Sequence, residues 1–172
     1  MAKQALLLSG PPGVGKTTII RHAITTATAN AGGFYTQEIR YRGVRQGFEI
    51  VTLDGSTAVL AHVNLRTTQR VGRYGVDVDN LDRVGVHAMK QAIEKCDIVV
   101  VDEIGKMELF SAAFREAIFE ALDSGKRIIG TIMLQSHPWA DKVKQDPRVN
   151  MLIVSRPKHD QILQELLVWL RR

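Results

Sequence analysis

Cys96 is the only cysteine among the 172 residues, which excludes an intrachain disulfide and any metal site built from clustered thiols. Standing just before an apolar run, it reads as a small core residue. Long hydrophobic stretches are also lacking. None reaches the ~18 to 20 residues needed to cross a bilayer, and no leader-like segment precedes the first apolar run, so no membrane partner and a cytoplasmic location are expected. Aromatic residues are few, at 6%, and the net charge of +5 is modest. Arginines gather at 40, 42 and 45 and again at 66, 70 and 73, but without the interleaved aromatics of a base-stacking surface. Nucleic acid is therefore not expected as the main partner. Internal repeats, linkers, low-complexity tracts and coiled-coil heptads are absent as well. One domain over residues 1–172, long enough to bury a sizeable core, and a monomer fit these absences.

What the chain does contain is concentrated near its start. Ala5-Leu-Leu-Leu-Ser-Gly10-Pro-Pro-Gly-Val-Gly-Lys16-Thr-Thr18 reads as a short apolar strand, a glycine-rich loop and the start of a helix. Gly10, Gly15, Lys16 and Thr17 satisfy the P-loop pattern G-x-x-x-x-G-K-[ST], with Gly13 inside it. Glycines let backbone N–H groups approach phosphate oxygens, and the helix N-terminus adds its positive dipole end. Gly10, Pro11, Pro12, Gly13, Val14, Gly15, Lys16, Thr17 and Thr18 are the expected nucleotide-binding segment. Lys16 is expected on the β- and γ-phosphates and the Thr17 hydroxyl on Mg²⁺. Ile19, Ile20, Ala23, Ile24 and Ala27 supply the apolar stripe of the helix behind the loop.

Along the chain, Gly32 and Gly33 read as the stop of that helix. Residues 34–41 and 47–53 are rich in strand formers and predict a β-hairpin, with a further extended piece at Thr57–His62. Residues 63–80 are polar and irregular, and a stretch of that length is expected to be functional. Asp82 or a near neighbour can cap a helix to about Lys95. Asp97-Ile-Val-Val-Val-Asp102-Glu103 has the β-branched run of a fully buried parallel strand ending in two acids. A helix follows over roughly 109–123, stopping at Gly125, then a buried strand at 127–133, a short helical piece, a last strand at Val149–Val154 and a helix over Pro157–Arg171. This alternation predicts an α/β fold with a parallel central sheet.

A P-loop alone establishes nucleotide binding, and turnover needs more. Asp102, at a strand tip, has the Walker B position and is expected to hold Mg²⁺ through water. Glu103, one residue on, is free to polarise a water aimed at the γ-phosphorus. An acid pair of this kind favours hydrolysis over transfer. The 86 residues from Lys16 to Asp102 (102 − 16) exceed what one βα crossover needs, so another strand must lie between the two motif strands, as in RecA- and AAA-like P-loop proteins. The next core strand then presents Thr131 to the γ-phosphate.

Gly10–Thr17, Gly33-Phe-Tyr-Thr-Gln-Glu-Ile-Arg40 with Gly47-Phe48, Val71-Gly-Arg-Tyr-Gly-Val76 and Asp102-Glu-Ile-Gly-Lys-Met-Glu-Leu-Phe110 together resemble the THEP1-like nucleoside-triphosphatases, nearly end to end. The resemblance implies a P-loop NTPase three-layer sandwich and a cytosolic enzyme that hydrolyses ATP, GTP, CTP, UTP and TTP with little base preference. Ile98–Gly105 would then join the loop in contacting the nucleotide. A site bound mainly through phosphates discriminates weakly between bases. Two departures stand out. Lys158-His159-Asp160 replaces the Asn-Arg-Asp run frequent in the family, and Gln37 stands where many members have glutamate, so Gln37 is assigned no catalytic role.

The expected reaction is in-line attack of water on the γ-phosphoryl group at a slow rate. Lys16 neutralises charge, Thr17 and Asp102 hold Mg²⁺, and Glu103 orients the water. Arg73, in the glycine-flanked segment, is the candidate for reaching the phosphates in cis, with Arg40 and Arg45 behind it; Lys106 either contacts phosphate or anchors its loop. A small nucleoside or nucleotide kinase, a nucleotide-switched module and a nucleic-acid-stimulated ATPase remain alternatives. Free phosphate as sole product, intrinsic turnover and indifference to polynucleotide, respectively, separate hydrolysis from them.

Overall fold

The computed structural model describes residues 2–172; Met1, which the one-domain expectation includes, lies outside the described residues. The elements, in chain order, are β1 (Ala5–Ser9), α1 (Lys16–Ala27), β2 (Ala31–Tyr41), β3 (Val44–Thr52), β4 (Thr57–His62), β5 (Arg70–Val71), β6 (Tyr74–Val76) and α2 (Val78–Asn80). A π-helical turn (Leu81–Val86) then leads into α3 (His87–Lys95). There follow β7 (Ile98–Ile104), a 3₁₀ turn (Glu108–Phe110), α4 (Ala112–Asp123), β8 (Arg127–Ile132), α5 (Pro138–Gln145), β9 (Val149–Ile153), a second 3₁₀ turn (Arg156–Lys158) and α6 (His159–Leu170).

The strands form one sheet in the order β5-β6-β4-β3-β2-β7-β8-β1-β9. Its core is parallel: β2 pairs with β7, β7 with β8, β8 with β1 and β1 with β9. The rest is antiparallel, from β2–β3 through β3–β4 and β4–β6 to β5–β6. The expected mostly parallel sheet is thus mixed. The hairpin after the first helix does not return to the parallel core but extends it sideways. Its turn is two residues, Arg42 and Gly43, both at positive φ, the geometry that matches strand twist in tight hairpins. β8 lies between β1 and β7, the intervening strand expected from the sequence, while the stretch from Lys16 to Asp102 holds β2 to β6.

Alternation along the parallel strands sorts side chains to two faces. Leu6 and Leu8, Ile98 and Val100 pack with Ile19, Ile20 and Ala23 of α1 and with Ile162, Leu166 and Leu170 of α6. Ala5, Leu7, Val99 and Val101 face the other way, onto Met89 and Ala92 of α3, Phe114, Ala117 and Ile118 of α4, and Ala140 and Val143 of α5. Strands buried on both faces read as continuous apolar runs for this reason.

Three boundaries differ from the sequence reading. α1 ends at Thr28, whose left-handed backbone returns its N–H to Ile24 and Thr25 carbonyls. Gly32 and Gly33 instead lie inside β2, where a Cβ on Gly33 would stand 2.1 Å from the Val100 carbonyl oxygen. The helical stretch to Lys95 starts at Val78 under a cap from Asp77, whose side chain accepts from the Asn80 N–H; Asp82 lies inside it and accepts from the Ser111 hydroxyl. Ser111 in turn caps α4, three residues later than the expected start. The 63–80 stretch carries the small β5–β6 pair and α2.

Candidate functional site

Every expected core residue of the site stands at the C-terminal edge of the parallel strands, the edge where open α/β sheets bind ligands. The chain leaves β1 at Ser9, whose hydroxyl donates to the Ile132 carbonyl of β8 at 2.9 Å and ties the two strand ends together. Gly10, Gly13 and Gly15 then adopt φ of 155°, 75° and 93°, the last two in the region other residues rarely enter. A Cβ at Gly10 would stand 2.7 Å from the Val154 carbonyl oxygen. Pro11, Pro12 and Gly13 are exposed at the loop's crest, while Val14 is buried and anchors it.

α1 begins at Lys16 without a side-chain cap and with no acid in its first turn, so its free N–H groups and dipole are available to an anion. Thr17 is partly buried beside them and Thr18 is exposed. The Lys16 ammonium curls back to donate to the Gly10 carbonyl at 2.5 Å and the Pro11 carbonyl at 3.2 Å. Positive charge is thereby held inside the loop.

Opposite stand the acids of β7. Asp102 is 2% exposed, and its Oδ1 accepts from the Thr131 hydroxyl at 2.5 Å. Its Oδ2 is buried and, among the described residues, has no hydrogen-bond partner. Burial pushes the Asp102 carboxyl above the usual range, against the pull of the Thr131 and Thr17 hydroxyls and the Lys16 charge. A buried carboxylate oxygen without a donor, beside a threonine hydroxyl, is a hard oxygen pair suited to a divalent cation such as Mg²⁺. The residues present fit that ion. Glu103 is likewise raised, chiefly by burial and then by Asp102, with Lys16 opposing.

Lys16, Thr17, Asp102, Glu103 and Thr131 thus come together. Arg73 does not join them: its guanidinium donates to the Arg45 carbonyl at 2.6 Å and lies over the Tyr74 ring. Arg40 and Arg45 both pair with Glu38, and Gln37 donates to Glu49. These contacts occupy all four within the antiparallel half of the sheet. Lys106 is exposed at the rim of a cavity of about 290 Å³, which Glu103, Glu108, Thr36, Phe48 and Met133 also line.

Two features escaped the sequence reading. His159, within the Lys-His-Asp departure, places Nε2 3.1 Å from where a Cβ of Gly15 would be, so the chain after β9 flanks the loop. Glu108 is a buried acid, only 5% exposed. Its signal was a glutamate within Lys-Met-Glu-Leu-Phe, a setting in which an unpaired acid is rare. Cys96 is only half-buried; it lines a cleft of about 450 Å³ with Gly32, Arg83, His87 and Lys95, at the opposite end of the sheet from the loop.

A family model described as NTPase matches residues 5–167. Nucleoside-triphosphatase THEP1 of Thermotoga petrophila is 42% identical over 166 residues, 96% of this chain and 92% of the relative. The cancer-related nucleoside-triphosphatase homolog of Mus musculus is 34% identical, covering 94% of each. Among solved structures, THEP1 from the hyperthermophile Aquifex aeolicus superposes with a TM-score of 0.89 at 29% identity, over 98% of this chain and 99% of that one. A human cancer-related nucleoside triphosphatase gives 0.83 at 33%, over 99% and 98%.

Proposed function

Because the chain belongs to the NTPase family and is a hydrolase acting on nucleoside triphosphates, we propose that it cleaves the γ-phosphate of ATP, GTP, CTP, UTP and TTP with little base preference. The reaction depends on Mg²⁺ and is slow, and the enzyme acts as a one-domain monomer in the cytoplasm. The observation that carries this reading is the juxtaposition of the Lys16 ammonium and the α1 N-terminus with two desolvated acids, Asp102 and Glu103, at one sheet edge.

The chemistry follows from these groups. Gly10–Thr18 acts as a P-loop, its backbone N–H groups donating to phosphate oxygens while Lys16 leaves the Gly10 and Pro11 carbonyls for the β- and γ-phosphates. Thr17 and Asp102 would hold Mg²⁺, which supplies charge neutralisation on the phosphate oxygens. Thr131 keeps Asp102 oriented through the bond to Oδ1, leaving Oδ2 for the ion or its water. Glu103, raised by burial, accepts a proton from the attacking water. Oxygen bonds to the γ-phosphorus, the bridging β–γ bond breaks, and nucleoside diphosphate and phosphate leave.

Arg73 is a cis finger in this account only if it gives up the Arg45 carbonyl. Absence of such a finger withholds ~10³ to 10⁵ in rate, which is the reason for slow turnover. Phosphate contacts dominate the binding energy, so bases are weakly distinguished. The expected result is phosphate release from all five triphosphates, with kcat/KM values within about tenfold of one another and activity lost on chelation of Mg²⁺. A preference of a thousandfold for one base would contradict it.

A further inference from the structure

The reaction above gives partners to the phosphate end of a nucleoside triphosphate and none to its nucleoside end. Sheet order says where that end lies. β7 and β8 stand on one side of β1 and β9 on the other. With the γ-phosphate at Asp102, Glu103 and Thr131, the phosphates run back along Gly13–Thr18 and the nucleoside emerges on the β9 side. The segment lining that side is held against the loop. The Val154 N–H donates to the Ser9 carbonyl at 2.8 Å, and the Val154 carbonyl oxygen lies 2.7 Å from the Cβ position of Gly10. Beyond it, the Lys158 N–H closes the second 3₁₀ turn onto the Ser155 carbonyl at 3.0 Å. α6 then starts at His159, its apolar residues packed in one cluster with those of α1. His159 is thereby fixed beside Gly15, with Nε2 and Cδ2 3.1 and 3.5 Å from the Cβ position of that glycine. The side chain keeps 36% of its surface exposed, and its Nδ1 is 4.0 Å from the Asp160 carboxylate, beyond hydrogen-bond reach. Arg156, Pro157 and Lys158, also exposed, offer no aromatic face.

We propose that His159 is the nucleoside-contacting residue of the site, its imidazole stacking on the base of the bound triphosphate. The inference rests on Gly10–Thr18 holding the phosphates. A stack suits a site with little base preference, because every base presents a π-face, whereas a site built to hydrogen-bond one base edge would reject the others. The ring is anchored by backbone contacts on both sides of β1's loop and by the α1–α6 packing, so it meets the base already oriented and little side-chain freedom is lost on binding. Its partial exposure is what a stacking face needs before the ligand arrives.

Calorimetric binding of the β,γ-imido analogues of ATP and CTP and of inorganic tripolyphosphate, each with Mg²⁺, tests this in the full chain with His159→Ala and His159→Phe. Because the side chain is half-buried at most, both ligand-free variants are expected to melt within about 2 °C of the wild type. His159→Ala is expected to weaken the ATP analogue by ~5- to 100-fold, the range for losing one base stack, and the CTP analogue by less, since its base is smaller. Tripolyphosphate, which has no base, is expected to bind this variant as it binds the wild type. His159→Phe keeps a flat ring and is expected to bind the ATP analogue within about threefold of the wild type. Equal losses for the ATP analogue and tripolyphosphate would put His159 on the phosphates or in support of the loop and overturn the proposal. Undiminished binding by His159→Ala overturns it too, as does a His159→Phe variant as weak as His159→Ala. A wild type that binds none of the three ligands fails the reading of the loop itself, and the proposal falls with it; a wild type that binds all three upholds that reading whatever the variants do.

Discussion

Asp102 shows how a single residue can be shaped for a partner it lacks in isolation. Its backbone position is dictated by the β-branched run Ile98–Val101 and its Oδ1 by Thr131, while its buried Oδ2 has no hydrogen-bond partner among the described residues. A buried polar atom without a partner costs free energy; under the proposed reaction that cost is offset when the cation binds. The sign of the pH effect follows. The folded carboxyl titrates above its unfolded value near 4, so folding is disfavoured increasingly as pH rises from there towards the folded value, and the penalty is absent below about 4. Asp102→Asn keeps an acceptor for Thr131 and removes the charge. At pH 7.5, free of nucleotide and divalent metal, this variant should melt higher than the wild type, by about 2–4 °C for each kcal/mol relieved. Adding Mg²⁺ and nucleotide should narrow or reverse the gap. Differential scanning fluorimetry with and without both ligands measures it.

At the scale of elements, the site depends on how α4 and the π-helical turn lock the segment after β7. Ser111 is wholly buried; its hydroxyl donates to Asp82 and accepts the Phe114 N–H at 2.9 Å. One residue thus closes the turn carrying Glu108 through its backbone N–H, and through its side chain starts α4 and holds the Leu81–Val86 turn. Ser111→Ala removes the cap and strands the Asp82 carboxylate, and should cost about 1–2 kcal/mol in urea unfolding, with kcat falling more than KM rises. The same elements show what the sequence could and could not convey. β1, β7 and β8 were legible because strands buried on both faces are unbroken apolar runs. The cap at Asp77 was not, because Asp77, Asp79 and Asp82 all precede the same apolar stripe. Gly32 and Gly33 resembled a helix stop, yet Gly33 permits the close approach of β2 to β7 and Gly32 that of β2 to Ala92 of α3 and Cys96, contacts between distant segments. The site was legible where its residues are contiguous, at Gly10–Thr18 and at Asp102–Glu103. Arg73 carried a suggestive glycine-flanked setting, but its contacts lie on Arg45 and Tyr74, set by the β5–β6 turn.

The whole molecule divides its labour across one sheet. The parallel core β2-β7-β8-β1-β9, clad by α1 and α6 on one face and by α3, α4 and α5 on the other, brings the loop after β1, the acids of β7 and Thr131 of β8 to a common edge. The antiparallel extension walls the cavity behind Glu103 with Thr36, Phe48, Leu60 and Val71. Glu103 is the group on which the proposed reaction turns. Its most direct test is phosphate release from Mg²⁺-ATP by the wild type and by Glu103→Gln, with nucleotide affinity followed in parallel. The account predicts that the variant binds ATP within about threefold of wild type and turns over at least ~10²-fold more slowly, the loss expected for a general base. A variant that binds ATP and releases phosphate at the wild-type rate would contradict it.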